Sequence, residues 1–228
     1  MRRTLYVIGP ETLPYRQAFE AQERLLARCL ESERAENFLM LLEHPPVITV
    51  GRSGGAEEVL AAADQLRARG LEVVETNRGG RVTLHAPGQL VMYPIVDLKA
   101  LGADLHRYLR GLEEWLARLA GAFGIEAGAN PPHTGLWVGD RKIASIGIAV
   151  RRWVAYHGVA LNVSNDLSFF KLIVPCGLRG VQMTSMAELL CEPPSLCEVA
   201  ARAAEMFAED LGFDEVRACD RVEAVGVR

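Results

Sequence analysis

Lys142-Ile143-Ala144-Ser145-Ile146-Gly147-Ile148-Ala149-Val150 and Trp153-Val154-Ala155-Tyr156-His157-Gly158-Val159-Ala160-Leu161-Asn162-Val163 are two long apolar runs separated only by Arg151-Arg152. They read as consecutive strands joined at the arginine pair, and residues 135–138 read as a third strand ahead of them. Upstream lie strand candidates at 4–8, 38–42, 47–50, 71–75, 81–85 and 89–96. Glu43-His44-Pro45-Pro46 makes a turn between two of them. Helical spacing marks 14–31 and, most clearly, 104–123, where Leu105, Tyr108, Leu112, Trp115, Leu116 and Leu119 fall on one face. Alanine content predicts a helix over 56–69, stopped by Gly70. Asn130-Pro131-Pro132 reads as a linker. Ser195 with Glu198 three residues on predicts a capped helix to Leu211. Strands and helices come in clusters without strict alternation. The expected fold is α+β: a central mixed, mostly antiparallel sheet flanked by helices, in one domain over 1–228.

The chain has 228 residues, half of them hydrophobic and 24% charged. That composition excludes disordered and collagen-like classes and allows a buried core. A net charge of −4 argues against a general nucleic-acid binder, so an acidic partner must meet a local basic patch. No apolar run approaches the roughly 20 residues of a membrane span. Met1-Arg2-Arg3 leads into an apolar run ending at Gly9-Pro10, too short for a signal-peptide core. The expectation is a cytoplasmic protein. Cys29, Cys176, Cys191, Cys197 and Cys219 form no C-x-x-C and no zinc-like spacing with the histidines, so no metal is expected. Lysine is scarce: Lys99, Lys142 and Lys171 stand beside 22 arginines. Codon bias explains the ratio, yet each lysine is a candidate for a role that needs a reversible proton, which arginine cannot fill.

Gly51-Arg52-Ser53-Gly54-Gly55 matches the G-x-S-x-G of a nucleophile elbow, with Asp97 and His133 or His157 following in the hydrolase order. Too few strand–helix units precede it, so it reads as a glycine-rich turn. No P-loop and no G-x-G-x-x-G occurs. Arg78-Gly79-Gly80-Arg81 lets backbone approach a ligand with cations beside it, and Val82-Thr83-Leu84-His85 then ends before a second turn at Pro87-Gly88. Cys176 stands between Pro175 and Gly177 at the end of an apolar run, the best-framed thiol of the five. An ordinary thiol is only a few per cent thiolate at neutral pH. A cation within about 4 Å would favour the charged form by on the order of 1 kcal/mol. Lys142, presented by the Gly139-Asp140 turn, is the suggestive partner, against the plainer reading of a solvated strand end.

Together these blocks resemble the lipoyl(octanoyl) transferases. The resemblance runs through Arg78-Gly79-Gly80, Thr83, His85, Pro87-Gly88-Gln89, Tyr93-Pro94, Gly139 to Gly147, His157-Gly158, Ala160-Leu161-Asn162 and Pro175-Cys176-Gly177, over about residues 38–180. Gly51-Arg52-Ser53 also looks like that family's early turn. Leu84 and Ala86 depart from the usual aromatic and glycine, a change expected to reshape the acyl pocket. The resemblance implies a fold shared with biotin and lipoate protein ligases. It implies transfer of an octanoyl group from acyl carrier protein to a lysine of lipoyl domains, in lipoate biosynthesis. The acceptors would be the lipoyl domains of 2-oxoacid dehydrogenase complexes and the glycine cleavage H protein. Cys176 would carry an acyl-thioester and Lys142 would lower its pKa. Arg78, Gly79, Gly80, Arg81, Val82, Thr83, Leu84, His85, Ser145, Ile146, Gly147, Gly158, Val159 and Ala160 would line the substrate site.

No cofactor is expected, because the acyl donor arrives on the phosphopantetheine arm of its carrier. Thioester exchange followed by aminolysis is downhill and needs no ATP. Backbone N–H groups near Gly147 and Gly177 are candidates for an oxyanion hole. Carrier proteins and lipoyl domains are acidic as families, which makes Arg151-Arg152, Arg179 and Arg78 the docking candidates. An ATP-dependent ligase on the same fold and a non-catalytic carrier-binding module stay open as alternatives. The Pro-Cys-Gly segment speaks against the first, and the joint presence of Cys176 and Lys142 against the second.

Overall fold

In the computed structural model, residues 3–31 and 36–221 are described; the opening Met1-Arg2 lies outside them. The first half runs β1 (Thr4–Thr12), α1 (Tyr15–Glu31), β2 (Glu36–Glu43), β3 (Val47–Val50), α2 (Ala63–Ala68), β4 (Glu72–Glu75), β5 (Val82–His85) and β6 (Gln89–Asp97). The second runs α3 (Leu105–Ala122), β7 (Gly128–Asn130), β8 (His133–Val138), β9 (Arg141–Arg151), β10 (Val154–Asn162), β11 (Gln182–Met183), α4 (Met186–Leu189), α5 (Leu196–Leu211) and β12 (Glu215–Cys219).

Nine strands form the main sheet in the order β12-β1-β2-β6-β10-β9-β8-β7, with β11 added to β9. The β2-β6-β10-β9-β8-β7 succession is antiparallel, whereas β12, β1 and β2 run parallel, so the sheet is mixed and mostly antiparallel. A second, three-stranded sheet, β4-β3-β5, was not expected. Both faces of the main sheet are covered. On one, Leu112, Trp115 and Leu116 of α3 and Ala203 and Phe207 of α5 pack against Leu39, Leu41, Met92 and Val159. On the other, Ala18, Ala21, Leu25 and Leu26 of α1 pack on Phe38, Met40, Val91 and Ile95. Strand β6 lies between them and is buried on both faces from Gln89 to Val96, hence its continuous apolar run.

Pro94 sits inside this central strand, where a missing N–H usually breaks the ladder. Here the facing segment departs from it. The β10–β6 pairing skips from Ala155 to Val159, His157 stands at φ +57°, and its N–H donates to Gln22 Oε1 of α1 at 2.8 Å.

Two local expectations fail. Residues 56–69 hold only a single turn at Ala56–Glu58 and the short α2. Alanine propensity there is overridden by tertiary pairing: Val59 bridges Ile173, and the Leu60 N–H donates to Leu172 O at 2.8 Å. The Asn130-Pro131-Pro132 segment is no linker but the connection of the β7–β8 hairpin, where Asn130 faces His133. The late helix begins as expected, with Ser195 and Glu198 closing a reciprocal capping box. Among the described residues no helix is long and apolar enough to cross a membrane.

Candidate active site

The Gly51-Arg52-Ser53 turn is a brace. The N–H groups of Gly51, Arg52 and Ser53 donate to the carbonyls of Arg81, Arg78 and Gly80 at 3.0, 2.9 and 3.1 Å. Its would-be triad partners are engaged elsewhere: Asp97 accepts from Lys99 N–H and His133 packs on Trp137. From the other side the Gly79 N–H donates to Ile148 O of β9 at 2.8 Å. This approach leaves no room at Gly147, where a Cβ would lie 2.9 Å from Gly79 O.

Arg78 itself turns inward. It is 7% exposed and donates to Thr49 O at 2.7 Å, to Thr49 Oγ1 and to Gly79 O. Burial lowers its pKa, while Tyr15, Cys176 and Tyr93 act in the opposite sense. Arg78 is therefore a buried cation near the cleft and not a docking residue, a correction to the sequence expectation.

A narrow cleft opens between this loop and the β9–β10 ladder. Residues 78–81, 145–147 and 158–160, with Thr83, His85 and Cys176, line it. Val82 and Leu84 do not. Their side chains point the other way along β5 into the core of the small sheet, with Ile48, Leu66 and Phe170, because alternate strand residues face opposite sides. Ala86 packs there too, so neither departure from the family pattern reshapes the cleft. Arg81 is held by Glu58 at 2.6 Å and Glu57 at 2.7 Å.

Tyr15, Tyr93 and His157 complete the lining. His44 Nδ1 lies 2.6 Å from Leu13 O, which only accepts, so Nδ1 carries the proton and Nε2 accepts from Tyr93 OH at 2.9 Å. His157 Nε2 lies 2.7 Å from Asn77 Oδ1, and Asn77 Nδ2 donates to Tyr156 OH at 2.9 Å. Desolvation is the main cause that pushes His44 down to about 4, His157 to about 3 and His85 well below its ordinary value. The cleft thus presents neutral imidazoles.

Unfolded imidazoles titrate near 6.5. Below that value the unfolded chain binds protons that the folded one refuses. Stability is full above about pH 6.5 and is lost as pH falls toward the folded values. Urea unfolding between pH 7 and 5.5 is expected to show a decline approaching about 1.4 kcal/mol per pH unit for each histidine. A flat profile over that interval contradicts the neutral cluster.

Cys176 stands in the tight turn Pro175–Gly177 at φ 55°, ψ 20°, a left-handed conformation uncommon for a side-chain-bearing residue and concentrated at functional sites. The turn is anchored by the Val174 N–H donating to Glu58 O at 2.8 Å, so the Arg81–Glu58 pair braces it. The Gly177 N–H is used within the turn, donating to Val174 O at 3.3 Å, which removes it from the oxyanion-hole candidates.

Lys142 is no solvated strand end. It is 2% exposed, and Nζ lies 3.5 Å from Cys176 Sγ and 3.0 Å from Thr134 O. The two residues meet because β11 pairs with the start of β9, Met183 beside Lys142, which folds the 175–181 segment back over it. Gly135 makes room: a Cβ there would lie 2.7 Å from Lys142 Cε. Cys29, by contrast, lies on the buried face of α1, and desolvation pushes its thiol up to about 12.

The family model of the lipoyl protein ligase A/B catalytic domain matches residues 14–208. The octanoyltransferase of Solibacter usitatus (strain Ellin6076) is 50% identical over 202 residues, covering 89% of this chain and 90% of that protein. The chain belongs to the octanoyltransferase family. It is an acyltransferase. The bipartite lipoate protein ligase of Thermoplasma acidophilum shares the fold at TM-score 0.77 and 18% identity, covering 97% of this chain and 89% of that one. The biotin protein ligase of Aquifex aeolicus, solved with biotin and ATP, gives TM-score 0.54 at 14% identity, covering 93% and 71%. Within this octanoyltransferase fold, sequence reasoning missed Tyr15 and Thr134. Tyr15 reads only as the first turn of an amphipathic helix. Thr134 contributes a carbonyl, which no side-chain pattern reports.

Proposed function

We propose that the protein transfers an octanoyl group from octanoyl-acyl carrier protein to a lysine of lipoyl domains, through a thioester on Cys176 and without ATP. The observation that carries this reading is the 3.5 Å approach of Lys142 Nζ to Cys176 Sγ at the edge of the cleft. Lys142 takes the thiol proton, and the Cys176 sulfur attacks the donor thioester carbonyl. The carrier's phosphopantetheine sulfur leaves and takes that proton from the Lys142 ammonium. The acyl chain, now on Cys176, lies in the cleft. The acceptor lysine then attacks as a free amine, Cys176 leaves as thiolate, and the surplus amine proton passes to Lys142. One thioester bond breaks and one amide bond forms overall. The acceptors are the lipoyl domains of 2-oxoacid dehydrogenase complexes and the glycine cleavage H protein, and the setting is cytoplasmic.

Acidic partners meet exposed arginines. Arg152 and Arg179 are exposed, whereas Arg151 is tied to Glu23 by two hydrogen bonds of 3.0 and 3.1 Å. Joint reversal, Arg152→Glu with Arg179→Glu, is expected to raise KM for the carrier severalfold, leave kcat near wild type and flatten the salt dependence. Unchanged KM and salt response dismiss these arginines.

The test of the reaction compares two donors. Octanoyl-acyl carrier protein without ATP should label a lipoyl domain, and free octanoate with ATP should not. The reverse pattern identifies a ligase and overturns the reading.

A further inference from the structure

Glu113 is the charged residue that α3 turns into the core. It is 3% exposed among Leu112, Trp115 and Leu116, where an unpaired carboxylate is costly. Oε2 accepts from Arg110 Nη1 at 2.6 Å, one turn back, and Oε1 accepts from the Gly135 N–H at 3.1 Å. The other end of that same peptide group is the Thr134 carbonyl, which accepts from Lys142 Nζ at 3.0 Å. A peptide group is rigid and planar, so one end cannot be held without aiming the other. Carboxylate at its N–H end and ammonium at its carbonyl end polarise it in the same sense, and each bond strengthens the other.

The β-ladder does not do this job. Strand β8 pairs with β9 through Leu136, Trp137 and Val138, and with β7 through His133 and Trp137. The register gives Thr134 and Gly135 no partner on either side.

We propose that Glu113 is a positioning residue that holds the Thr134–Gly135 peptide so that its carbonyl fixes the Lys142 ammonium against Cys176. This rests on the Cys176–Lys142 chemistry proposed above. The experiment follows two readouts: the pH midpoint of iodoacetamide alkylation at Cys176, resolved by peptide mass, and the kcat and KM of octanoyl transfer from the carrier. Glu113→Ala removes both the bond and the charge. It is expected to lower kcat at least tenfold, with carrier KM within about twofold, and to move the alkylation midpoint up by about one pH unit. Glu113→Gln keeps an acceptor for the Gly135 N–H but not the charge, and should show the same changes at reduced size, about threefold in kcat. It decides the matter if Glu113→Ala fails to fold. A Glu113→Gln protein with wild-type midpoint and kcat overturns the proposal. Glu113→Gln at wild-type values with Lys142→Met severely impaired sinks only the role of Glu113. Lys142→Met at wild-type activity sinks the underlying chemistry instead.

Discussion

Cys176→Ala is expected to reduce octanoyl transfer at least about 10⁴-fold, the scale on which removing a covalent nucleophile acts, and to leave no acylated protein. The fold should be unaffected, because Cys176 is only half-buried and its turn is held by backbone bonds at Val174, Gly177 and Leu178. No other thiol is placed to substitute. Cys29 lies on the buried face of α1 with its thiol pushed up to about 12, Cys219 ends the edge strand β12, and Cys191 and Cys197 are exposed after α4 and at the start of α5, all away from the cleft lining. Cys176→Ser keeps the shape but replaces the thiol with an alcohol, a much weaker nucleophile and a poorer leaving group, and should be nearly as inactive. Transfer measured by mass on a lipoyl domain gives the rate directly.

Lys142→Met is expected to lower transfer by about 10²–10⁴-fold, the range for loss of a positioned general acid–base, while melting near or above wild type. The second half of that expectation follows from burial. Exchanging a buried ion for an apolar side chain of similar volume is often neutral or stabilising once its partner can neutralise, and a thiol neutralises easily. Lys142→Arg should not rescue. A guanidinium cannot accept the thiol proton, and the passage beside Gly135 already brings Lys142 Cε within 2.7 Å of where a Cβ would sit. Activity measured beside thermal unfolding separates lost chemistry from lost structure.

Much of this architecture is written in local pattern. The strands on either side of Arg151-Arg152, the apolar stripe of α3 and the Ser195 cap are each set by neighbours within a few residues, and each forms where the spacing puts it. The failures are non-local. Alanines at 56–69 favour helix until Leu172 and Ile173 offer strand-like partners from more than a hundred residues away. Arg78 looks like a solvent cation unless Thr49 is known to face it. The period of two along Val82-Thr83-Leu84-His85 already divides the block into a cleft face and a core face, a distinction that a family motif quoted as a whole erases. Cys176 and Lys142 are named by motif, but their meeting depends on β11 pairing with β9, which two short residues of strand do not announce. Glu113 is the least visible of all. On a helix it reads as one more acidic residue, and its bond is to a backbone N–H.

The central claim is a covalent acyl group on one sulfur, and the direct measurement is a chase. Protein incubated with octanoyl-acyl carrier protein in the absence of ATP, freed of donor and followed by intact mass, should carry one octanoyl group on the Cys176 peptide. Adding lipoyl domain should move that group to the acceptor lysine at a rate no slower than steady-state turnover. A stable adduct that the lipoyl domain never discharges, or transfer without any adduct on Cys176, would contradict the account.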